Sequence, residues 1–459
     1  MIDISIIILY LAITLIVGFL SGTKVHNMQD FAISHRNYPT SVIVATISAT
    51  LIGGFATFGI IERVYSQGII YLFVAFGISI NFFLISKYLL PRMKVLENSI
   101  SVGEMMGHYY GKSGQIITGI FAAVVSIGEV AAQVSAIGLI ISAFLGTTFL
   151  MGVIIGCGIV IFYSSFGGIK SVVSTDVLQF AVLIIGIPLI LNLSLHKTGG
   201  FSSLFDLVPS DYFSLTPKNE SIMKPLTMLF AVLLTFFEPV FVQRFLLSRN
   251  TEQAVKAAKI TSLISIPFFI VVAFIGLVAV ANLPNSDPHT ILPMMINTYL
   301  PISVRGFVIA GLLSVLMSTA DSNLNITTVS IIKDVIEKIR DKEISPGKEI
   351  YLARGLNMLI GVITVIIALT YKSLVDIIIT SFSFWVSTIL IPFMFAIFDK
   401  RLPKTIFLIS VGTGALTTLG WNIWFSHIYG FDGLIPGMFS NLAVTLALLK
   451  IPILNRIRK

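Results

Sequence analysis

Charged residues and cysteine are both scarce in this sequence. Asp, Glu, Lys and Arg make up 11% of the 459 residues, against roughly a quarter in soluble proteins, while hydrophobic residues make up 56%. Because so many apolar side chains cannot all be hidden in soluble cores, we expect the lipid bilayer to solvate most of the surface. The single cysteine, Cys157, excludes a disulfide framework and a thiolate metal site.

Long polar segments are missing as well. The longest stretches between apolar segments are 195–223, 283–302 and 333–350, and none can hold a catalytic domain. The six histidines lie outside the predicted spans, which argues against a metal cluster or a histidine proton relay in the membrane. We therefore expect one membrane domain over residues 1–459, with no catalytic residue, no organic cofactor and no metal other than an alkali ion.

Apolar segments long enough to cross a bilayer recur along the whole chain. A membrane helix needs about 20 apolar residues to cross about 30 Å of hydrocarbon. Segments of this kind predict about thirteen transmembrane helices, at 3–22, 40–63, 67–90, 114–144, 148–165, 172–194, 224–247, 257–282, 303–332, 351–370, 374–397, 405–426 and 434–451. An odd number places the two termini on opposite sides of the membrane.

Basic residues are distributed unevenly between the two sides. Of the 30 Lys and Arg residues, 24 lie in the connections at 23–39, 86–113, 166–171, 244–260, 333–354, 398–404 and 450–459. Because cytoplasmic loops carry the excess of positive charge, the N-terminus is predicted outside and the C-terminus in the cytoplasm, in the plasma (bacterial inner) membrane. The net charge of +8 is then an orientation signal, and no nucleic acid partner is needed to explain it.

Two predicted spans contain helix-breaking residues near their middle. Ser48, Thr50 and Gly53-Gly54 interrupt the second span, and Glu238-Pro239 lies inside the seventh. A matched pair of interrupted spans is typical of transporters built from inverted repeats, with a binding site at the bilayer midplane. The alternative is an ordinary proline kink together with glycines that pack helices.

Acidic residues lie within several predicted spans, at Glu129, Asp176, Glu238 and Asp321. No Lys or Arg is expected at the same depth, and the nearest, Arg244, is predicted toward the end of its span. Since each charge at the centre of a membrane helix costs on the order of 3 kcal/mol, acids without basic partners would be protonated or would bind cations. This excess of one sign favours a cation pathway.

The ninth predicted span carries a polar stripe along one helix face. Its members are Ser314, Ser318, Asp321, Ser322 and Asn325, flanked by Thr319. Hydroxyl and carboxylate oxygens are hard ligands that suit an alkali ion. The alternative, hydrogen bonding between packed helices, explains isolated serines better than a stripe that contains Asp321.

Several stretches resemble the sodium:solute symporter family, which includes proline and pantothenate permeases and sodium–sugar cotransporters. FGGIKSVVSTDVLQF (166–180) and LLSVLMSTADSNLN (312–325) are similar to two signatures of that family. VQRFLLSRNTEQA (242–254) resembles its Gln-Arg stretch, and SVGEMMGHYYG (101–111) is a weaker match. The four stretches span most of the chain in the family's order, so the chain is identified as a member.

The resemblance implies an all-α fold with five plus five inverted spans, whose first and sixth core helices are broken. The repeats would cover 40–194 and 224–397, with an extra helix at 3–22 and two C-terminal helices within 405–451. It also implies a sodium site formed by the carbonyls of Val44, Ile47 and Val315 and the hydroxyls of Ser318 and Thr319. A second cation site would use Asp176, Ser318, Asp321 and Ser322.

The implied solute site lies between the broken helices. Its expected residues are Ser48, Thr50, Leu51, Gly53 and Glu238, joined by Glu129 of the fourth span and by Ser383 and Ser387 of the eleventh. An acidic pocket favours sodium-coupled uptake of an amino acid such as proline, or of another amine-bearing or zwitterionic solute. The alternatives are a carboxylate such as pantothenate, a sugar, or coupling to protons. Sodium, the solute and the bilayer are the expected partners, with no obligate protein partner implied.

Overall fold

The computed structural model describes residues 2–22, 27–34, 36–93, 99–234, 238–370, 374–398 and 401–451. It is 86% helical, and the described residues include no strand. The all-α prediction is therefore confirmed. Helices dominate because the backbone of a helix satisfies its own hydrogen bonds, which lipid cannot do.

Twenty α-helices succeed one another along the described chain. The first ten are α1 (Ile2–Gly22), α2 (Met28–Ala32), α3 (Thr40–Leu51), α4 (Ile60–Gln67), α5 (Ile70–Leu84), α6 (Val102–Leu145), α7 (Phe149–Thr198), α8 (Gly200–Leu207), α9 (Met223–Leu234) and α10 (Pro239–Leu246). The others are α11 (Thr251–Asn282), α12 (Ile291–Tyr299), α13 (Val304–Val329), α14 (Glu337–Arg340), α15 (Pro346–Thr370), α16 (Leu374–Trp385), α17 (Ile391–Ile397), α18 (Lys404–Trp424), α19 (Ser426–Tyr429) and α20 (Leu434–Leu449). Segments of π-helix join α13 to α14 (Ser330–Ile336) and α16 to α17 (Val386–Leu390).

Glycines with positive φ bend the two longest helices. Gly111 in α6 has φ 69° and Gly168 in α7 has φ 52°, a backbone conformation that glycine adopts without steric cost. The kink at Gly168 falls in the predicted connection at 166–171, and the apolar helices on either side of it, Phe149–Ser165 and Gly167–Thr198, match the predicted spans 148–165 and 172–194. Helix α6 likewise consists of two helices on either side of Gly111. The first begins at Val102, where the Ser101 hydroxyl caps it by accepting the Glu104 amide at 2.9 Å, and the second begins close to the predicted residue 114.

Many helices are suited to crossing a membrane. Ten helical segments of the described residues are long and apolar enough, and α3 with Phe55–Gln67 forms an additional pair bent by 58°. Two shorter apolar helices cover Phe149–Ser165 and Leu434–Leu449. The expectation of a polytopic membrane protein agrees with these findings, while the number thirteen and the repeat relationship stay predictions.

Helix α13 lies at the centre of the bundle. The most apolar stretch of the Val304–Arg340 segment is 94% buried, whereas the most apolar stretch of α1 is 22% buried. The polar stripe predicted in the ninth span is therefore enclosed by other helices, and the apolar faces of outer helices such as α1 are left to lipid. Hydrogen bonds join this oxygen-rich face of α13 to α3 and α7.

Candidate solute and cation sites

The interruption predicted in the second span is confirmed at residues 52–54. Helix α3 ends at Leu51, and the chain resumes with a π-helical turn at Phe55–Gly59 that leads into α4. The Gly54 amide donates to Oε1 of Gln133 at 2.8 Å, and the Thr50 carbonyl accepts the Thr319 hydroxyl at 3.3 Å. Side chains of α6 and α13 thus satisfy backbone groups that the break removes from the helical pattern.

The other predicted break lies between α9 and α10, where residues 235–237 fall outside the described residues. Glu238 occupies the N-cap position of α10 in an extended conformation (φ −48°, ψ 134°), and Pro239 begins the helix. The Glu238 carbonyl accepts the amides of Phe241 and Val242 at 3.1 Å, but its carboxylate makes no capping hydrogen bond. The carboxylate of Glu238 therefore does not cap α10.

A cavity of about 90 Å³ opens between the two broken helices and α6. Five of the residues predicted for the solute line it: Thr50, Leu51, Gly53, Glu129 and Glu238. The remaining described lining residues are mainly apolar, namely Phe55, Ala56, Ile78, Gln133, Met228, Ala231, Val232, Val240, Phe241, Thr319, Asn323, Ile378, Ile379 and Phe382. Apolar walls with a few convergent polar groups are the usual form of a small-molecule site.

The charge of this cavity is one-sided. Glu129 and Glu238 are 6% and 5% exposed, and the described lining residues include no Lys, Arg or His. Glu129 accepts a long hydrogen bond of 3.4 Å from Nε2 of Gln133, which is a weak form of compensation. Because a buried carboxylate without a partner is costly, a positively charged group of a bound solute would offset its desolvation.

Three other predicted solute residues lie away from the cavity. Ser48 is fully buried within α3 and is absent from the cavity wall. Ser383 donates to Oδ1 of Asp432 at 2.7 Å, while the neighbouring Phe382 faces the cavity. The Ser387 carbonyl accepts Nδ2 of Asn441 at 2.8 Å, on the side of α16 and α17 that packs against α18 and α20. The structure thus gives these serines hydrogen bonds or packing contacts outside the cavity.

The residues predicted to bind sodium lie on two neighbouring helices. Val44 and Ile47 are buried in α3, and Val315, Ser318 and Thr319 share a face of α13. The Thr319 hydroxyl also donates to the Val315 carbonyl at 3.2 Å. Since the carboxyl end of a helix bears a partial negative charge, the end of α3 at Leu51 adds to the attraction for a cation. Hard oxygen ligands and this dipole suit an alkali ion.

Arg244 lies much deeper than the sequence predicts. Its Nη2 is 3.3 Å from Oδ2 of Asp176, and both side chains are fully buried. The expectation that no basic residue reaches the depth of the acids is therefore wrong for Asp176. The physical reason is the break before Pro239, because the short helix α10 enters the core and carries Arg244 with it.

The four residues predicted for a second cation are brought together around this ion pair. Asp176 accepts the hydroxyls of Thr46 and Ser318. Asp321 accepts the Tyr163 hydroxyl at 2.7 Å and the Ser322 hydroxyl at 3.3 Å. Sequence reasoning missed Thr46 and Tyr163, which stand in apolar segments without a distinguishing pattern. The Gln-Arg stretch at 242–254 drew attention to Arg244, but it did not indicate that the side chain is buried in the core.

Structural comparison defines the class of protein first. The chain matches a Na⁺-coupled sialic acid symporter with a TM-score of 0.85 and 19% identity, covering 98% of both chains. It also matches a nucleobase-cation-symport-1 family transporter with bromovinylhydantoin bound, with a TM-score of 0.60 and 14% identity, covering 92% of this chain and 94% of the other. The chain therefore shares its fold with these two transporters.

The family model of the sodium:solute symporter family matches residues 31–413. The chain belongs to the sodium:solute symporter family, which confirms the resemblance found in its sequence. Sodium/proline symporter 2 of Staphylococcus saprophyticus is 25% identical, over 96% of this chain and 91% of that relative. The sodium/proline symporter of Staphylococcus aureus is 24% identical, over 97% and 92%. Membership makes sodium-coupled transport of a solute the function of this chain.

Proposed function

We propose that this chain carries a small solute with a positively charged nitrogen into the cell together with sodium. The observation that carries the proposal is the pair Glu129 and Glu238 in a cavity whose described lining has no basic side chain. An amino acid such as proline, or a betaine, combines a positively charged nitrogen with a hydrocarbon part, and both suit this cavity. Its nitrogen would face the carboxylates, and its hydrocarbon part would contact Leu51, Phe55 and the other apolar walls.

The relatives support an amino acid as the solute. Two sodium/proline symporters are 24–25% identical over nearly the whole chain. That level of identity leaves the individual side chains of the solute site open to change, so the argument for a positive nitrogen depends on Glu129 and Glu238 themselves. Discrimination against an uncharged solute follows, because such a solute would leave both carboxylates without a cation.

Sodium is proposed to bind where α3 and α13 meet. The carbonyls of Val44, Ile47 and Val315 and the hydroxyls of Ser318 and Thr319 would ligate it. Thr319 also lines the solute cavity, and its hydroxyl contacts the Thr50 carbonyl beside the helix break. One side chain therefore touches both proposed sites, which gives bound sodium a direct means of stabilising the geometry of the cavity.

The proposed architecture has thirteen crossings, with inverted repeats at 40–194 and 224–397 and two further helices within 405–451. The outer position of the N-terminus and the cytoplasmic position of the C-terminus follow from the distribution of Lys and Arg. We place the protein in the bacterial plasma membrane, where the inward sodium gradient would drive uptake. No enzymatic step and no obligate protein partner belong to this proposal.

Uptake into proteoliposomes tests the proposal. A thermal-shift screen of amino acids, betaines, amines, sugars and carboxylates identifies the solute, because a ligand that binds the native state raises its stability. Uptake of that solute is then measured with an inward sodium gradient, with equal sodium on both sides, and with a proton gradient alone. Accumulation of a cationic or zwitterionic solute under the sodium gradient supports the proposal. Accumulation driven by protons alone, or preference for a sugar or for pantothenate, contradicts it.

A further inference from the structure

The guanidinium of Arg244 contacts the same side chains that the second cation site would use. Nη2 lies 3.3 Å from Oδ2 of Asp176 and also donates to the Ser322 hydroxyl. Asp176 and Ser322 are two of the four residues in that site, and the other two, Ser318 and Asp321, bond directly to Asp176 and Ser322. A positive charge of the protein itself therefore already lies among these oxygens.

This arrangement leaves little opportunity for a second ion. Arg244, Asp176, Ser318, Asp321 and Ser322 are all fully buried. Arginine keeps its proton in proteins, so its positive charge is permanent wherever the side chain lies. A sodium ion held by Asp176 and Ser322 would lie within a few ångströms of this charge, and in a water-poor interior the two cations would repel each other strongly.

We infer that Arg244 replaces the second sodium ion in this chain, so that the protein binds one sodium ion. The inference builds on the proposed sodium symport and adds its stoichiometry. Asp176 then serves as the counter-charge of Arg244, and the oxygens around Ser322 hold the guanidinium in place of a metal ion. The sodium ion at Ser318 and Thr319 remains the coupling ion.

Arg244 also joins the cation sites to the solute cavity. Its Nε and Nη2 both lie 3.4 Å from the Thr50 hydroxyl, and Thr50 lines the cavity. The carbonyl of Thr50 in turn accepts the hydroxyl of Thr319, a proposed sodium ligand. A fixed guanidinium therefore supports the end of α3 from one side while sodium supports it from the other.

Counting bound sodium ions tests the inference. The purified protein is equilibrated with radioactive sodium at saturating concentration, and ions per polypeptide are measured. Wild type is expected to bind one ion. Arg244→Gln removes the guanidinium but leaves Asp176 charged, and it is expected to bind two ions. Asp176→Asn combined with Arg244→Gln should return the count to one, and Arg249→Gln, which removes an exposed charge just beyond α10, should bind one ion like wild type.

Two ions in wild type, or one in a folded Arg244→Gln, overturn the inference. The wild-type count needs no variant, so the test stands even if Arg244→Gln fails to fold. Arg244→Lys is a second probe that keeps a positive charge, and it is expected to bind one ion. If wild type binds no sodium and its uptake ignores a sodium gradient, the proposed function itself fails. One ion in wild type with sodium-driven uptake, but no second ion in Arg244→Gln, overturns the inference and leaves the proposed function standing.

Discussion

The two pairs of buried acids in this protein are compensated in opposite ways. Asp176 and Asp321 lie beside α13, where Arg244 and the hydroxyls of Thr46, Ser318 and Tyr163 surround them. Glu129 and Glu238 line a cavity whose described walls bear no basic side chain. The protein's own groups compensate the first pair, with Arg244 beside Asp176 and hydroxyls around Asp321, whereas the described lining of the cavity offers the second pair no basic side chain. In a membrane protein, the missing partner of a buried charge indicates the chemistry of the ligand.

The largest expected effect comes from breaking the compensated pair. In sodium-free buffer, Arg244→Ala leaves Asp176 buried without its cation and should lower the free energy of unfolding by about 3–5 kcal/mol, seen as a large fall in thermal stability of the purified protein. Lys112→Ala is the control, because Lys112 pairs with Asp341 at side-chain exposures of 46% and 74%. Loss of that pair should cost at most about 1 kcal/mol. Equal effects in the two variants would contradict the comparison.

Sodium affinity should depend on hydroxyl groups of α13. Thr319→Ala and Ser318→Ala each remove a proposed ligand, and we expect the sodium concentration for half-maximal uptake to rise about tenfold, equivalent to about 1.4 kcal/mol. Thr319→Ser keeps the hydroxyl and should stay close to wild type. Unchanged sodium dependence in both alanine variants would show that the ion binds elsewhere.

The glycine beside the helix break should matter through contact with Thr319. A Cβ added at Gly53 would lie 2.7 Å from Oγ1 of Thr319, so Gly53→Ala must displace that hydroxyl. We expect a several-fold rise in the sodium requirement for uptake, somewhat less than for loss of the hydroxyl. Gly158→Ala is the matched control, because no atom lies within 4 Å of its added Cβ. A wild-type sodium requirement in Gly53→Ala would exclude this contact as a support of the site.

The smallest effect is expected at the partly exposed pair of Glu62 and His289. Nδ1 of His289 lies 3.2 Å from Oε2 of Glu62, and this hydrogen bond raises the pKa of His289 above 6.5. The pair's contribution to stability is therefore present below about pH 6.5 and is lost as the pH rises through the raised pKa. Because the His289 side chain is 41% exposed, Glu62→Gln should lower the free energy of unfolding by only about 0.2–1 kcal/mol at low pH, and by less at high pH. Thermal unfolding at the two pH values measures this difference. A larger loss of stability in Glu62→Gln at high pH than at low pH would contradict this pH dependence.

The sequence predicted the features that follow from hydropathy and helix-breaking residues. The all-α membrane fold, the break at Gly53-Gly54 and the polar stripe of α13 were all expected from local patterns. The burial of Arg244 beside Asp176 was not expected, because hydropathy places an arginine near the end of a span and cannot show that α10 is short and enters the core. The partnership of Tyr163 with Asp321 spans 158 positions, which no local pattern encodes.

The candidate solute site was predictable only in part, for a related reason. Glu129 and Glu238 stand out as acids in apolar segments, and both line the cavity. Ser383 and Ser387 belong to one polar stripe in sequence, yet in the structure that stripe contacts Asp432 and Asn441 while Phe382 faces the cavity. Which face of a helix meets a cavity depends on packing against helices distant in sequence.

The most direct test compares solute and sodium affinity in one variant, Glu238→Gln. Competition for uptake is measured with amino acids, betaines, polyamines, sugars and monocarboxylates, together with the sodium concentration for half-maximal uptake. We expect the affinity for the positively charged or zwitterionic solute to fall at least tenfold, or by about 1.4 kcal/mol, while the sodium requirement at saturating solute stays near that of wild type. If a neutral sugar or a monocarboxylate competes best in wild type, and Glu238→Gln leaves its affinity unchanged, the cavity acids do not recognise the solute and the contrast between the two pairs fails.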